Sequence, residues 1–192
     1  MLKKIKKNKI GFTLFEVVVS IFLFTIVILL TGSMYSLSQK SYNKGSNRGE
    51  LIQNARVSLD RMTRELRQSV NIVTVLPLTE DEEGNPPANE IFFQDGHDIS
   101  QINYLRYYLD GSDLKRSKII YYFDSEPEVY VTYDSVDQLG DLPEELIIED
   151  RIVGEYFDLL EYWGGGGLIY ISEEFLKGLE EFNIRTSVFS RN

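Results

Sequence analysis

The stretch KIGFTLFEVVVSIF, residues 9–22, decides how the rest of this chain is read. It opens the one strongly apolar run of the sequence, yet it sets a carboxylate, Glu16, near the start of that run. From Phe12 to Leu30 there are 19 residues and a single charge. That length matches the roughly 20 helical residues that cross the hydrocarbon layer of a bilayer. Five lysines (3, 4, 6, 7 and 9) precede the run with no acid among them. Such a cluster holds its end of the helix on the cytoplasmic side and sends the residues after the apolar run outward. A core helix of a soluble domain would keep one polar face, and this run has none. A secretory signal peptide would need a small-residue cleavage site behind the run. The first alanine is Ala55, and Gly32-Ser33 is a poor site.

Charge is distributed as unevenly as hydropathy. The 192 residues carry 20 basic and 30 acidic side chains, a formal net charge of −10. Residues 31–75 are net +4, whereas residues 76–192 are net −18. So acidic a region does not bind nucleic acid directly, and its carboxylates serve first to keep a surface soluble.

Behind the apolar run a second helical pattern appears. Leu51, Ala55, Leu59, Met62, Leu66 and Val70 recur at spacings of three and four, one face of an amphipathic helix. No proline occurs before Pro77, so a single helix from Phe12 to Ser69 is allowed, roughly 85 Å long at about 1.5 Å per residue. SYNKGSNRG (41–49) is its weak point. Gly45 and Gly49 each cost about 1 kcal/mol against alanine, and a break or joint is expected there.

From Val70 the period becomes two. VNIVTVL (70–76), EIFFQ (90–94), INYLRYYL (102–109), SKIIYYF (117–123), EVYVTYD (128–134), ELIIEDRIV (145–153), GLIYIS (167–172) and FNIRTSVFS (182–190) read as strands. DGSD (110–113) suits a tight hairpin turn. The fold expected is α+β, a long N-terminal helix laid on an antiparallel sheet. LTEDEEGNPPAN (78–89) reads as a mobile polar loop. Residues 157–183, with four consecutive glycines and a short helix expected over Glu173–Glu181, read as a surface decoration.

Little here suggests an enzyme. Cysteine is absent, which removes disulfides, thiolate metal sites and a thiol nucleophile. The single histidine, His97, falls in a loop with no nucleophile motif nearby. GGGG (164–167) lacks the lysine and hydroxyl of a phosphate loop and reads as a turn. No cofactor is expected. Calcium is the one metal to weigh, with Asp81, Glu82 and Glu83, or Asp110 and Asp113, as its oxygen ligands, and neither cluster has EF-hand spacing.

The N-terminal pattern of basic leader, Gly11, then Phe12-Thr13-Leu14, Glu16 and the apolar stretch Val17–Leu30 resembles type IV prepilins and the pseudopilins of type II secretion. ARVSLDRMTRELRQS, YYLDGSDLKRS and the terminal IRTSVFSRN are similar to J-type minor pseudopilins and W-type minor pilins. The resemblance implies a leader over 1–11, a transmembrane and assembly helix over 12–31, an amphipathic stalk over 32–70 and an extracytoplasmic head over 71–192. It implies cleavage between Gly11 and Phe12 by a prepilin peptidase and N-methylation of Phe12. Glu16 would then neutralise the new terminal amine and pair with a neighbouring subunit. A buried charge pair is tolerated where a lone charge is not, which answers why the acid is there. The subunit at the tip of pseudopilus complexes typically lacks this acid, so this chain is not expected at that apex. The expected function is a minor pilin or pseudopilin of a type IV pilus or type II secretion system. Its expected partners are the peptidase, other pilins and the cytoplasmic membrane. Two other classes compete: a membrane-tethered binding protein that never polymerises, and a tethered extracytoplasmic enzyme.

Overall fold

The computed structural model describes residues 11, 13–97 and 101–191. One helix, α1 (Leu14–Gln68), is followed by nine strands: β1 (Asn71–Ile72), β2 (Glu90–Gln94), β3 (Tyr104–Asp110), β4 (Asp113–Phe123), β5 (Glu126–Val131), β6 (Glu144–Gly154), β7 (Phe157–Gly165), β8 (Leu168–Lys177) and β9 (Glu180–Phe189). The architecture is α+β, as the periodicities predict. The expected break at 41–49 is absent, because hydrogen-bonded helix continues through Gly45 and Gly49. Long helical flanks make propagation cheap, so two glycines do not stop it. The glycines still mark a boundary: the chain divides into two compact units, residues 1–45 and 46–192.

In the first unit every described residue of the apolar run is exposed. In the second, Leu51, Ala55, Leu59, Met62 and Leu66 are buried in the spacing read from the sequence. Val70, expected on the same stripe, is exposed, because α1 ends at Gln68 and the chain turns away. Burying each large aliphatic of such a stripe contributes about 1.5–3 kcal/mol.

The strands form two sheets rather than one. The first has the order β1-β2-β3-β4-β5, with β6 also paired to β4, all antiparallel. Tyr121 and Tyr122 have partners on both β5 and β6, so these two strands flank β4 on opposite edges. The β3–β4 hairpin turns over Gly111-Ser112, between the paired Asp110 and Asp113. Gly111 has φ 65°, the left-handed angle that glycine supplies at the first position of such a turn. The second sheet is β7-β8-β9.

Here three expectations are corrected. Glu173–Glu181 is not a helix; it spans the end of β8, a turn and the start of β9. Residues 157–183 are not a decoration either. Phe157, Leu160, Tyr162, Ile169, Ile171 and Phe175 join α1, Ile91, Phe93, Leu105, Tyr107 and Leu114 in one core between α1 and the sheets. GGGG closes the β7–β8 hairpin. The loop over 78–89 is also not loose. Ala88 and Tyr162 exchange backbone hydrogen bonds at 2.9 and 2.8 Å, Gly164 N–H donates to the Pro77 carbonyl, and Arg185 pairs with Glu80 through two bonds of 2.7 Å. The loop thereby satisfies polar groups along the outer edge of β7, which would otherwise stand open.

The tyrosines have a second role on the opposite face of the first sheet. Phe92, Tyr104, Tyr121 and Tyr133 form a ring cluster with centroids 5.2–6.5 Å apart. Edge-to-face geometry of this kind adds about 0.5–1.5 kcal/mol per pair beyond area burial.

Candidate functional site

The sequence points to the start of α1, and the geometry there is a closed pair of hydrogen bonds. Thr13 precedes the first helical residue, Leu14, and its carbonyl accepts the Val17 N–H at 3.3 Å. The Thr13 hydroxyl accepts from the Glu16 N–H at 3.3 Å. In return a single Glu16 oxygen, Oε2, accepts the Thr13 N–H at 2.8 Å and the Thr13 hydroxyl at 2.9 Å. This is a capping box, Thr-x-x-Glu, which satisfies two donors that a helix start leaves open. Glu16 therefore has a task within its own chain. That task was readable from Thr13 and Glu16 standing three apart, and the charge argument alone passes over it.

The remaining Glu16 oxygen, Oε1, takes part in none of these bonds, so the carboxylate keeps an acceptor for another cation. Gly11 is described and exposed, with open space where a side chain would begin. Phe12, the expected cleavage and methylation residue, and leader residues 1–10 lie outside the described residues.

Behind the cap, α1 is built to sit in an apolar medium. No charged side chain follows Glu16 until Lys40. The few hydroxyls are turned back onto the helix: Ser20, Thr25, Thr31 and Ser33 donate to the carbonyls four residues earlier at 2.7–2.9 Å. Such back-bonding satisfies polar groups where no water is present. Among the described residues this is the one helix long and apolar enough to cross a membrane.

The second unit offers a groove of about 900 Å³ beside α1, lined on the helix by Arg56, Arg61, Arg64 and Glu65, and on the sheet by Arg116, Lys118 and Glu149. Its centre is an ion network. Arg116 Nε donates to Glu65 at 3.0 Å and its Nη1 to Glu149 at 3.1 Å, while the buried Tyr107 hydroxyl donates to Glu65 at 2.6 Å. Burial opposes the Arg116 charge, but the bonds to Glu65 outweigh it and raise its pKa. Burial and Glu65 both push the Tyr107 phenol up, so it stays a donor. These charges satisfy one another and lock α1 to β3 and β4; they do not converge on an empty point. His97 lies at the rim with its Nδ1 3.3 Å from Gln68 Oε1.

Two of the acids weighed for calcium are engaged otherwise. Glu82 accepts the Leu78 N–H at 2.6 Å, and Asp110 pairs with Lys115 at 2.7 Å. Among the described residues no group of three or more histidines, aspartates and glutamates is placed to hold a metal ion.

Residues 6–32 match the sequence model of a family described as the prokaryotic N-terminal methylation motif. The match spans the second half of the basic leader, Gly11, the Thr13–Glu16 cap and the whole apolar run, and it supports a pilin-like N-terminus of the prepilin type. No curated protein and no solved structure matches the chain.

Proposed function

We propose that this chain is a minor pilin or pseudopilin: a structural subunit that waits in the cytoplasmic membrane, is processed by a prepilin peptidase and then joins a filament. The observation that carries this reading is the methylation-motif match over the start of a helix whose first apolar stretch, residues 14–30, is exposed throughout. A helix apolar all round needs lipid or other such helices around it. A filament supplies the second after the membrane has supplied the first.

In this reading the peptidase cuts between Gly11 and Phe12 and methylates Phe12. The lysine leader keeps the N-terminus cytoplasmic until then. The Glu16 carboxylate then neutralises the new amine of Phe12 or that of a neighbouring subunit. The large β-rich head and the arginine-rich stalk favour a minor role, in the complex that initiates the filament.

Intact mass and N-terminal sequence of the protein from its own host test this. The expected chain begins at N-methylated Phe12, and Gly11→Ala is expected to keep its leader, because the peptidase tolerates little beyond glycine at that position. A wild-type chain that still carries residues 1–11 would overturn the reading in favour of a tethered head that does not polymerise.

A further inference from the structure

The edges of the two sheets are not treated alike. The outer edge of β7 is closed by the loop that ends at Ala88. β9 alternates, with every second residue turned toward the protein. β6 does neither. Among the described residues it pairs with β4 alone, over most of its length, and its other edge is open. Neither of its faces is covered: Leu146, Ile147, Ile148 and Ile152 are 46%, 52%, 49% and 52% exposed. A long edge strand with three consecutive exposed aliphatics is a template for another strand, and proteins normally blunt such an edge.

Here the blunting is mostly acidic, and part of it is already paired: Glu149 meets Arg116 at 3.1 Å and Arg151 at 2.8 Å, and Asp150 lies 3.8 Å from Lys115. Glu144, Glu145, Glu149 and Asp150 stand along β6 against Arg151. Two copies of β6 paired in parallel and in register would set each acid beside its own copy, and like charges across a strand pair oppose pairing. The same acids attract a basic strand. They are held in place by β4: Tyr122 donates to Glu144, Tyr121 to Glu145, Arg116 to Glu149 and Ser117 to Asp150. The charge pattern is thus fixed before any partner arrives.

We infer that the open edge of β6 takes up an extended segment of a different chain, one in which lysine or arginine alternates with aliphatic side chains. Backbone hydrogen bonds supply the attachment and the alternating side chains supply the selection. The acids oppose a second copy of this strand in parallel register while admitting that partner. The edge lies wholly within the 46–192 unit, so its occupation is independent of leader processing.

Hydrogen exchange on the full-length chain in phospholipid nanodiscs tests this. The probes are a peptide of alternating lysine and valine and its counterpart with glutamate for lysine. The lysine peptide is expected to slow amide exchange across 144–154 by about tenfold, an effect that salt weakens. The glutamate peptide is expected to leave it unchanged. Ile147→Lys is expected to abolish the protection while exchange in β8 stays as in the wild type. Should that variant loosen β8, Ile147→Thr reads the same question with a strand-forming residue. Protection by both peptides, protection centred on β9, or full protection in a variant with intact β8 would each overturn the inference.

Discussion

Two glutamates show how differently one residue type is used. Glu16 caps a helix and keeps one oxygen outside the cap. Glutamine also closes a capping box, but it carries no charge. Glu16→Gln should therefore leave helicity and membrane insertion intact, yet lower co-purification of filament partners by more than about tenfold, as loss of a charge pair in a dry site does. Partner recovery at wild-type level would reduce Glu16 to a cap. Glu173 is buried to 0% exposure at the interface of α1 and β8, where the Ser58 hydroxyl donates to it at 3.1 Å. Burial pushes its carboxyl from the ordinary 4.5 up to about 8, and the Ser58 bond lowers it only in part. Tyr162, the nearby phenol of β7, stays neutral because burial raises it further. Between these two values the folded state holds a proton that the unfolded state has lost. Stability contributed by the neutral acid is thus complete below about pH 4.5 and lost as pH rises toward 8, at a limiting slope of about 1.4 kcal/mol per pH unit. Glu173→Gln should flatten that slope and melt higher than the wild type at pH 8, read by near-ultraviolet circular dichroism in detergent. A variant with the wild-type slope would show that Glu173 is ionised in the fold.

At the scale of an element, the β7–β8 hairpin is governed by one glycine of the four. Gly164 has φ 140°, and a Cβ there would lie 2.1 Å from the Leu168 carbonyl oxygen. Gly166, in the turn itself, has φ 62° and open space around it. Gly164→Ala should cost more than about 2 kcal/mol, since both backbone and neighbour must give. Gly166→Ala should cost about 1 kcal/mol for its left-handed angle alone. Urea unfolding midpoints separate the two, and equal losses would mean that the hairpin relaxes around Gly164. The lower part of α1 follows the same logic of location over composition. Its buried stripe is held to β4 by the Glu65–Arg116 pair, to β3 by the Tyr107–Glu65 hydrogen bond and to β8 by the Glu50–Lys177 pair, with Lys177 also 4.2 Å from the Tyr156 ring centre.

For the whole molecule, the division at Gly45 separates two compositions. Residues 17–39 carry no charge, whereas residues 46–192 bury their own core around Leu51, Met62, Tyr107, Tyr162 and Phe175. A chain beginning at Ser46 should accordingly stay soluble and melt in one cooperative step, with the same pH slope as the full-length protein. A gradual melt would show that the upper part of α1 is needed to hold the head.

What the sequence determined by itself was local and periodic. An apolar run needs no tertiary partner to declare itself, and the spacing of Leu51, Ala55, Leu59, Met62 and Leu66 follows from the geometry of one helix. The Asp110–Asp113 hairpin lies in the same class, because its glycine and its two strands are adjacent in sequence. The capping box at Thr13 and Glu16 was equally local and equally legible, although the charge of Glu16 drew the reading elsewhere. Only the tertiary structure decided what depends on distant pairing. FDLLEYW became β7 because β8 and the loop around Ala88 stand on either side of it. The acidic stretch SEEFLK extended as strand rather than coiling, because β9 pairs with it residue by residue. Glu173 became a buried acid because that register turns it toward Ser58, 115 residues away in sequence. Periodicity tells which faces of a segment are alike, but the partner that covers a face is chosen by contacts the local sequence does not contain.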